Sequence, residues 1–161
     1  MMQETEFSPS EGSDAGKLFV IRPFRAFAGD RWARKVIRAL ADAGTKLPES
    51  ALNLGMAGLA GLGMGLFGKM EEQAVEEAFE GLLSCCLIKR DPSNPALPPA
   101  PLLEADITDP ATLSVLRTEA FKVNVGFMKA AAGQISPLVA ALLPATPSKK
   151  ETSKSQPEQK T

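Results

Sequence analysis

The chain has 161 residues, with 18 Lys and Arg against 19 Asp and Glu, giving a formal net charge of −1 at neutral pH. This balance argues against a nucleic-acid partner, because domains that bind nucleic acids carry a clear excess of positive charge. The sequence contains no histidine, which removes the commonest general base and the commonest metal ligand. We therefore predict a protein that is not an enzyme and that holds no cofactor or metal.

Both ends of the sequence are polar. Residues 1–16 are rich in Ser, Gly and acidic side chains, and residues 144–161 are rich in Lys, Ser and Pro. Segments of this composition bury too little apolar surface to offset the entropy lost on ordering, so both are predicted to be disordered tails. Residues 17–143 are predicted to form a single domain, interrupted by a proline-rich loop at 91–101.

The first predicted elements of the domain are a strand and an amphipathic helix. Residues 17–22 favour a strand, which Pro23 ends. Asp30 is the expected N-cap of a helix from 31 to 43, whose apolar residues recur at helical spacing with basic residues opposite. Trp32 lies on the apolar face of this helix, so its ring is predicted to be buried.

Residues 51–68 carry no charge and contain six glycines. They are predicted to form one helix, with a stripe of glycines beside a stripe of leucine and methionine, covered by the rest of the chain. The alternative is a membrane span in a small holin-like protein. That alternative is disfavoured because the run is short for a span and has no Trp or Tyr at its borders. The letters G-x-G-x-x-G at 63–68 match a dinucleotide-binding loop, but no strand precedes them, and we reject that interpretation.

The second half of the domain is predicted to begin with an acidic helix from 69 to 83 and a strand at 85–89. A further short strand is expected at 102–107, after the proline-rich loop, and a short docking helix at 134–143. These elements together predict a mainly α, α+β fold, in which a small helical domain carries a few short β-strands.

The last long helix is predicted from 112 to 132, with Asp109 as its cap and Pro110 in its first turn. Its apolar residues form two stripes at helical spacing. The first stripe contains Leu113, Leu116, Ala120, Val123 and Phe127, and the second contains Phe121, Val125 and Met128. Arg117 and Asn124 lie between the stripes, where polar side chains either hydrogen-bond within the fold or mark a contact surface.

Two stretches resemble the tail assembly chaperones of long-tailed, lambda-like bacteriophages. They are Phe19-Val20-Ile21-Arg22-Pro23 and the run from Phe121 to Phe127, F-K-V-N-V-G-F, in which Val125 replaces an aromatic residue usual in the family. The resemblance covers roughly residues 18–133. It implies a non-catalytic protein of the host cytoplasm that binds the tape measure protein, helps recruit tail tube subunits and is absent from the mature virion.

The predicted partner-binding residues come from the glycine-rich segment and the last helix, whose apolar faces exceed what a small core needs. They are Leu59, Leu62, Leu66, Arg117, Phe121, Asn124, Val125, Phe127 and Met128. The expected partners are the tape measure protein and the tail tube protein, and self-association is a further candidate interaction. The adjacent thiols of Cys85 and Cys86 are typical of small buried residues in a reducing compartment, in agreement with a cytoplasmic location.

Overall fold

The computed structural model describes residues 3–132, with side chains placed as far as residue 126. Within this part the chain forms an α+β fold dominated by helices, which confirms the predicted fold class. The antiparallel strands are β1 (Thr5–Phe7), β2 (Leu18–Ile21), β3 (Cys86–Lys89) and β4 (Ala100–Pro101). The α-helices are α1 (Ala26–Asp42), α2 (Ala51–Leu54), α3 (Met56–Leu59), α4 (Glu72–Leu83) and α5 (Pro110–Ala132), and 3₁₀ helices span Met64–Lys69 and Glu104–Asp106.

The sheet has the strand order β1-β2-β3-β4 within the described residues. The central pairing joins β2 to β3, with Phe19 opposite Ile88 and Ile21 opposite Cys86. Phe19, Val20 and Ile21 are all buried, so β2 is covered on both faces. Pro101 lies in the edge strand β4, where the missing N–H of proline costs no ladder hydrogen bond.

The core lies where the helices meet each other and the sheet. Leu40, Leu59, Leu82 and Leu116, from four different helices, have no exposed surface. Trp32 is 7% exposed, and its Nε1–H donates a hydrogen bond of 3.0 Å to the backbone oxygen of Ala78 in α4. The predicted burial of Trp32 is therefore confirmed.

The glycine-rich segment does not form the single helix that the sequence predicts. Gly55 has φ +55°, in the left-handed region, and ends α2 after four residues. Because residues other than glycine rarely adopt this backbone conformation, the break depends on glycine. The chain then turns again after α3 and continues as the 3₁₀ helix. Because each glycine disfavours a helix by about 1 kcal/mol relative to alanine, packing against α1 and α5 decides the local structure instead. No helix in the described part of the chain is long and apolar enough to cross a membrane.

Several predicted boundaries also change. Helix α1 begins at Ala26, so Asp30 is not its N-cap but pairs with Arg34 one turn later, at 2.9 Å. The prediction of a strand at 102–107 is wrong, because this range contains the 3₁₀ helix Glu104–Asp106. The strand β4 lies instead at Ala100–Pro101, inside the proline-rich loop. Asp109 does cap α5, since its Oδ1 accepts a hydrogen bond from the N–H of Ala111. The predicted helix at 134–143 and the tail from 144 lie outside the described residues.

The prediction that residues 1–16 are disordered is wrong for the part that the structure describes. Residues 5–7 form β1, which pairs with β2. Asp14 is fully buried, and its carboxylate accepts hydrogen bonds from the amides of Thr108 and Asp109 and from Lys17 Nζ at 2.7 Å. These bonds fasten the N-terminal segment to the start of α5. The amino-acid composition of residues 1–16 could not predict the bonds to Thr108 and Asp109, because these residues are 94 and 95 positions away from Asp14 in the sequence.

The buried carboxylate makes stability depend on pH in acid. The Lys17 ammonium and the two amides hold the pKa of Asp14 well below its usual range. A carboxyl whose pKa is lower in the folded state than in the unfolded chain stabilises the folded protein at pH values above its unfolded pKa of about 3.9. This stabilisation is lost progressively as the pH falls below about 3.9 towards the folded-state pKa. We expect the urea midpoint of Asp14→Asn to lie below that of the native chain at pH 7, and to fall less steeply below about pH 4.

The matched control is Glu11→Gln, which neutralises an exposed carboxylate three residues earlier. It should reproduce the native unfolding curves at each pH. Identical pH profiles for the native chain and Asp14→Asn would show that the Asp14 anchor does not contribute to stability.

Candidate partner-binding cleft

The structure separates the nine predicted partner-binding residues into three groups. Five are buried, with at most 7% of their surface exposed, and pack mainly in the core: Leu59, Leu66, Phe121, Asn124 and Val125. Leu62 and Arg117 are half-buried. Phe127 and Met128 belong to α5, but their side chains lie outside the described ones. The five buried residues therefore pack within the domain, and their role in partner binding stays a prediction.

Asn124 serves the fold from within. Its Oδ1 accepts a hydrogen bond of 2.9 Å from the backbone N–H of Phe24. Its Nδ2 donates to the backbone oxygen of Ala120 at 2.8 Å and contacts Cys85 Sγ at 3.6 Å. Of the two roles left open for this residue, the internal one is confirmed: Asn124 joins α5 to the chain just before α1.

Arg117 is likewise engaged within the domain. Its guanidinium carbon lies 4.3 Å from the centroid of the Phe79 ring on α4, a cation–π arrangement. Its Nη2 also lies 3.3 Å from Ser114 Oγ, one turn earlier in α5. These contacts hold the polar side chain along the junction of α4 and α5.

A small open cleft brings the glycine-rich segment and α5 together. It has a volume of about 400 Å³. It is lined by Ala60, Leu62, Gly63, Met64, Phe121, Lys122, Val125 and Gly126. Three of the predicted partner-binding residues, Leu62, Phe121 and Val125, thus contribute to one concave surface. The walls are apolar apart from Lys122, whose Nζ pairs with Glu119 at 2.9 Å on the same helix.

Two glycines in this cleft are not required by the fold. A Cβ at Gly63 or at Gly126 would meet no described atom within 4 Å, and neither residue has a positive φ. The missing side chains leave backbone open on both sides of the cleft, which lets another helix approach closely. Gly63, Met64 and Gly126 are not among the predicted partner-binding residues, because their proximity depends on the turn after α3.

A larger cleft of about 800 Å³ lies between α4, the sheet and the start of α5. Its apolar walls include Leu83, Leu102, Ile107 and Leu113, and Leu103 at its border is 60% exposed. None of the nine predicted partner-binding residues lines it. We therefore place the candidate site at the smaller cleft, where sequence expectation and concave shape coincide.

The two cysteines, Cys85 and Cys86, are buried within the domain. Burial raises the pKa of the Cys85 thiol to about 11 and that of Cys86 to about 12, so both are protonated and weakly nucleophilic at neutral pH.

Within residues 3–132, no three or more His, Cys, Asp or Glu side chains are grouped to hold a metal ion. Comparison with known proteins found no matching family, no similar curated protein and no similar solved structure.

Proposed function

We propose that this protein is a non-catalytic tail assembly chaperone of a long-tailed bacteriophage or prophage. In this role it binds the tape measure protein in the host cytoplasm, helps bring tail tube subunits to it, and does not remain in the mature virion. The proposal draws on the resemblance of residues 19–23 and 121–127 to that family, and on a histidine-free sequence without a recognisable catalytic set.

The observation that carries the proposal is the apolar cleft between the glycine-rich segment and α5. Leu62 and Met64 on one side and Phe121 and Val125 on the other offer contacts to apolar side chains entering from solvent. Each large apolar side chain that becomes fully buried stabilises a complex by about 1.5–3 kcal/mol. Two or three such side chains from one helix therefore supply useful affinity.

The occupant that suits this surface is an amphipathic helix. A helix presents apolar residues at positions i, i+3 and i+4 along one side, and a short concave groove accepts such a row. The bare backbone at Gly63 and Gly126 removes the steric barrier that larger residues would raise. A tape measure protein is a long helical protein, so covering its apolar stripes in this way keeps it soluble before assembly.

The test is co-expression with the tape measure protein encoded by the same genome. The native chain should move that protein from the pellet to the supernatant and elute with it in gel filtration. Leu62→Asp places a charge in the half-buried wall of the cleft, and we expect it to weaken binding by about tenfold or more. Because Leu62 is only half-buried, the variant should keep its helical circular dichroism spectrum.

The matched control is Leu97→Asp, at a leucine that is 44% exposed in the proline-rich loop and distant in sequence from the cleft. It should solubilise the partner as well as the native chain does. A partner that stays insoluble with the native chain would overturn the proposed function. If Leu62→Asp and Leu97→Asp bind the partner equally well, the protein binds the tape measure protein through a surface other than the cleft.

A further inference from the structure

The smaller cleft lies close to the point at which the chain leaves its last long helix. Gly126, which lines this cleft, is six residues before Ala132, the last residue of α5. At 1.5 Å per residue, six helical residues extend over about 9 Å. The part of the chain that follows Ala132 therefore starts within two helical turns of the cleft.

That following part is apolar before it becomes polar. Residues 133–143, G-Q-I-S-P-L-V-A-A-L-L, contain no charged side chain, and we call them the C-terminal apolar segment. Gly133 is a residue typical of the position just after a helix, whereas Ser136 and Pro137 are typical of an N-cap and a first helical residue. Four large apolar residues then share one face at the spacing i, i+3, i+4 and i+7: Ile135, Leu138, Val139 and Leu142.

The segment is long enough to return to the smaller cleft. Two helices joined by a short loop pack side by side and antiparallel. The five residues 133–137 span up to about 17 Å when extended, which exceeds the distance of about 9 Å along α5 back to Gly126. The larger cleft lies at the start of α5, about 33 Å along the helix from Ala132, and only a fully extended segment would reach it.

We propose that the C-terminal apolar segment folds back along α5 and occupies the smaller cleft of its own chain. The walls formed by Leu62, Met64 and Val125 are apolar, and the segment brings only uncharged residues to them. Gly63 and Gly126 place no side chain in this space, so a second helix can lie close to the backbone on both sides.

The occupant comes from the same chain rather than from a second copy. A segment held by a short linker is present at its binding site at an effective concentration of about millimolar. Free protein in solution is far more dilute than this. The tethered segment therefore fills the cleft before a segment from another molecule does.

Occupation of the cleft by its own chain regulates the binding of a partner. A partner binds only molecules whose cleft is open, so its apparent affinity falls in proportion to the open fraction. This regulatory consequence rests on the proposed function, whereas the docking of the segment needs only the purified full-length chain.

The docking is tested by photo-cross-linking in the purified full-length protein without a partner. Benzoylphenylalanine replaces Leu142 or, as the control, Gln156 in the polar tail. Trypsin places position 142 in the peptide 130–149 and the glycine-rich wall of the cleft in the peptide 47–69. After irradiation, we expect monomeric protein in which these two peptides are joined, and only background attachment to 47–69 from position 156.

The regulation is tested by the binding of the tape measure protein to full-length variants. Leu142→Asp places a charge on the apolar face of the segment, so it should open the cleft and strengthen partner binding about three- to tenfold. The matched control is Ala140→Asp, which places the same charge on the opposite side of the predicted helix. It should bind the partner like the native chain.

The possible results separate the docking from the proposed function. Attachment from position 142 to the peptides 70–89 or 91–117, attachment between two chains, or no product would overturn the docking. Equal partner binding by Leu142→Asp and Ala140→Asp would overturn the regulation. If the native chain and both variants fail to bind the partner while position 142 still cross-links to 47–69, the proposed function is contradicted and the docking is supported.

Discussion

Trp32→Ala is expected to lower the free energy of unfolding by about 3–5 kcal/mol. The ring is buried between α1 and α4, with its centroid 5.4 Å from that of Phe24 and 6.4 Å from that of Phe67. Removing it leaves a cavity and deprives the backbone oxygen of Ala78 of its hydrogen bond from Nε1. The packing is close, because a Cβ at Gly81 would overlap the indole ring.

Urea unfolding followed by circular dichroism measures this effect. Trp32→Phe keeps an aromatic ring but not the hydrogen bond, so its stability should lie between those of the native chain and Trp32→Ala. Leu103→Ala, at an exposed leucine, should differ from the native chain by no more than about 0.5 kcal/mol. An unchanged midpoint for Trp32→Ala would mean that the indole does not hold α1 against α4.

Asn124→Ala is expected to cost about 1–3 kcal/mol, because it leaves the N–H of Phe24 without its partner in the partly buried junction before α1. The Asn124 side chain joins two segments of the chain that are 100 residues apart in the sequence. Asn124→Asp keeps the acceptor oxygen, so it should retain part of the stability at acid pH, where the carboxyl is neutral, and lose it on ionisation.

The control for Asn124→Ala is Asn53→Ala, at an exposed asparagine of α2. Its unfolding midpoint should match that of the native chain. If the two alanine variants are equally stable, Asn124 is not an internal tie, and a role at the surface of a partner complex becomes the better interpretation.

The elements with strong periodicity could be predicted from the sequence. The basic and apolar faces of α1, the acidic and apolar faces of α4, and the stripes of α5 each repeat over three turns or more, and the structure contains all three helices. The inner strands β2 and β3 were also predicted to within a residue, because short runs of β-favouring residues end at Pro23 or precede the proline-rich loop.

The remaining features depend on contacts distant in the sequence. The glycine-rich segment has helical spacing but little helical preference, and it breaks at Gly55, which has a left-handed backbone conformation. The next helix, α3, packs against α1 and α5, which are distant from it in the sequence. The N-terminal segment is polar in composition, yet the buried carboxylate of Asp14 and the pairing of β1 hold it in place. Neither interaction leaves a local signal in the sequence.

The candidate site was predicted only in part, for the same reason. The apolar spacing of α5 predicts Phe121 and Val125 as partner-binding residues, but helical spacing cannot distinguish the wall of a cleft from the centre of a core, and both residues are buried. The turn after α3 brings Leu62 and Gly63 beside Gly126, and together they form the concave surface. Of the nine predicted partner-binding residues, three therefore line the cleft: Leu62, Phe121 and Val125.

The most direct test of the central claim is a cross-linking measurement at the cleft. The photoreactive amino acid benzoylphenylalanine is incorporated in place of Leu62 or, as the control, in place of Leu97, during co-expression with the tape measure protein. After irradiation, we expect a covalent product containing both proteins from position 62 and only background from position 97. Equal products from the two positions, or none from position 62 while the complex still forms, would contradict binding at the cleft.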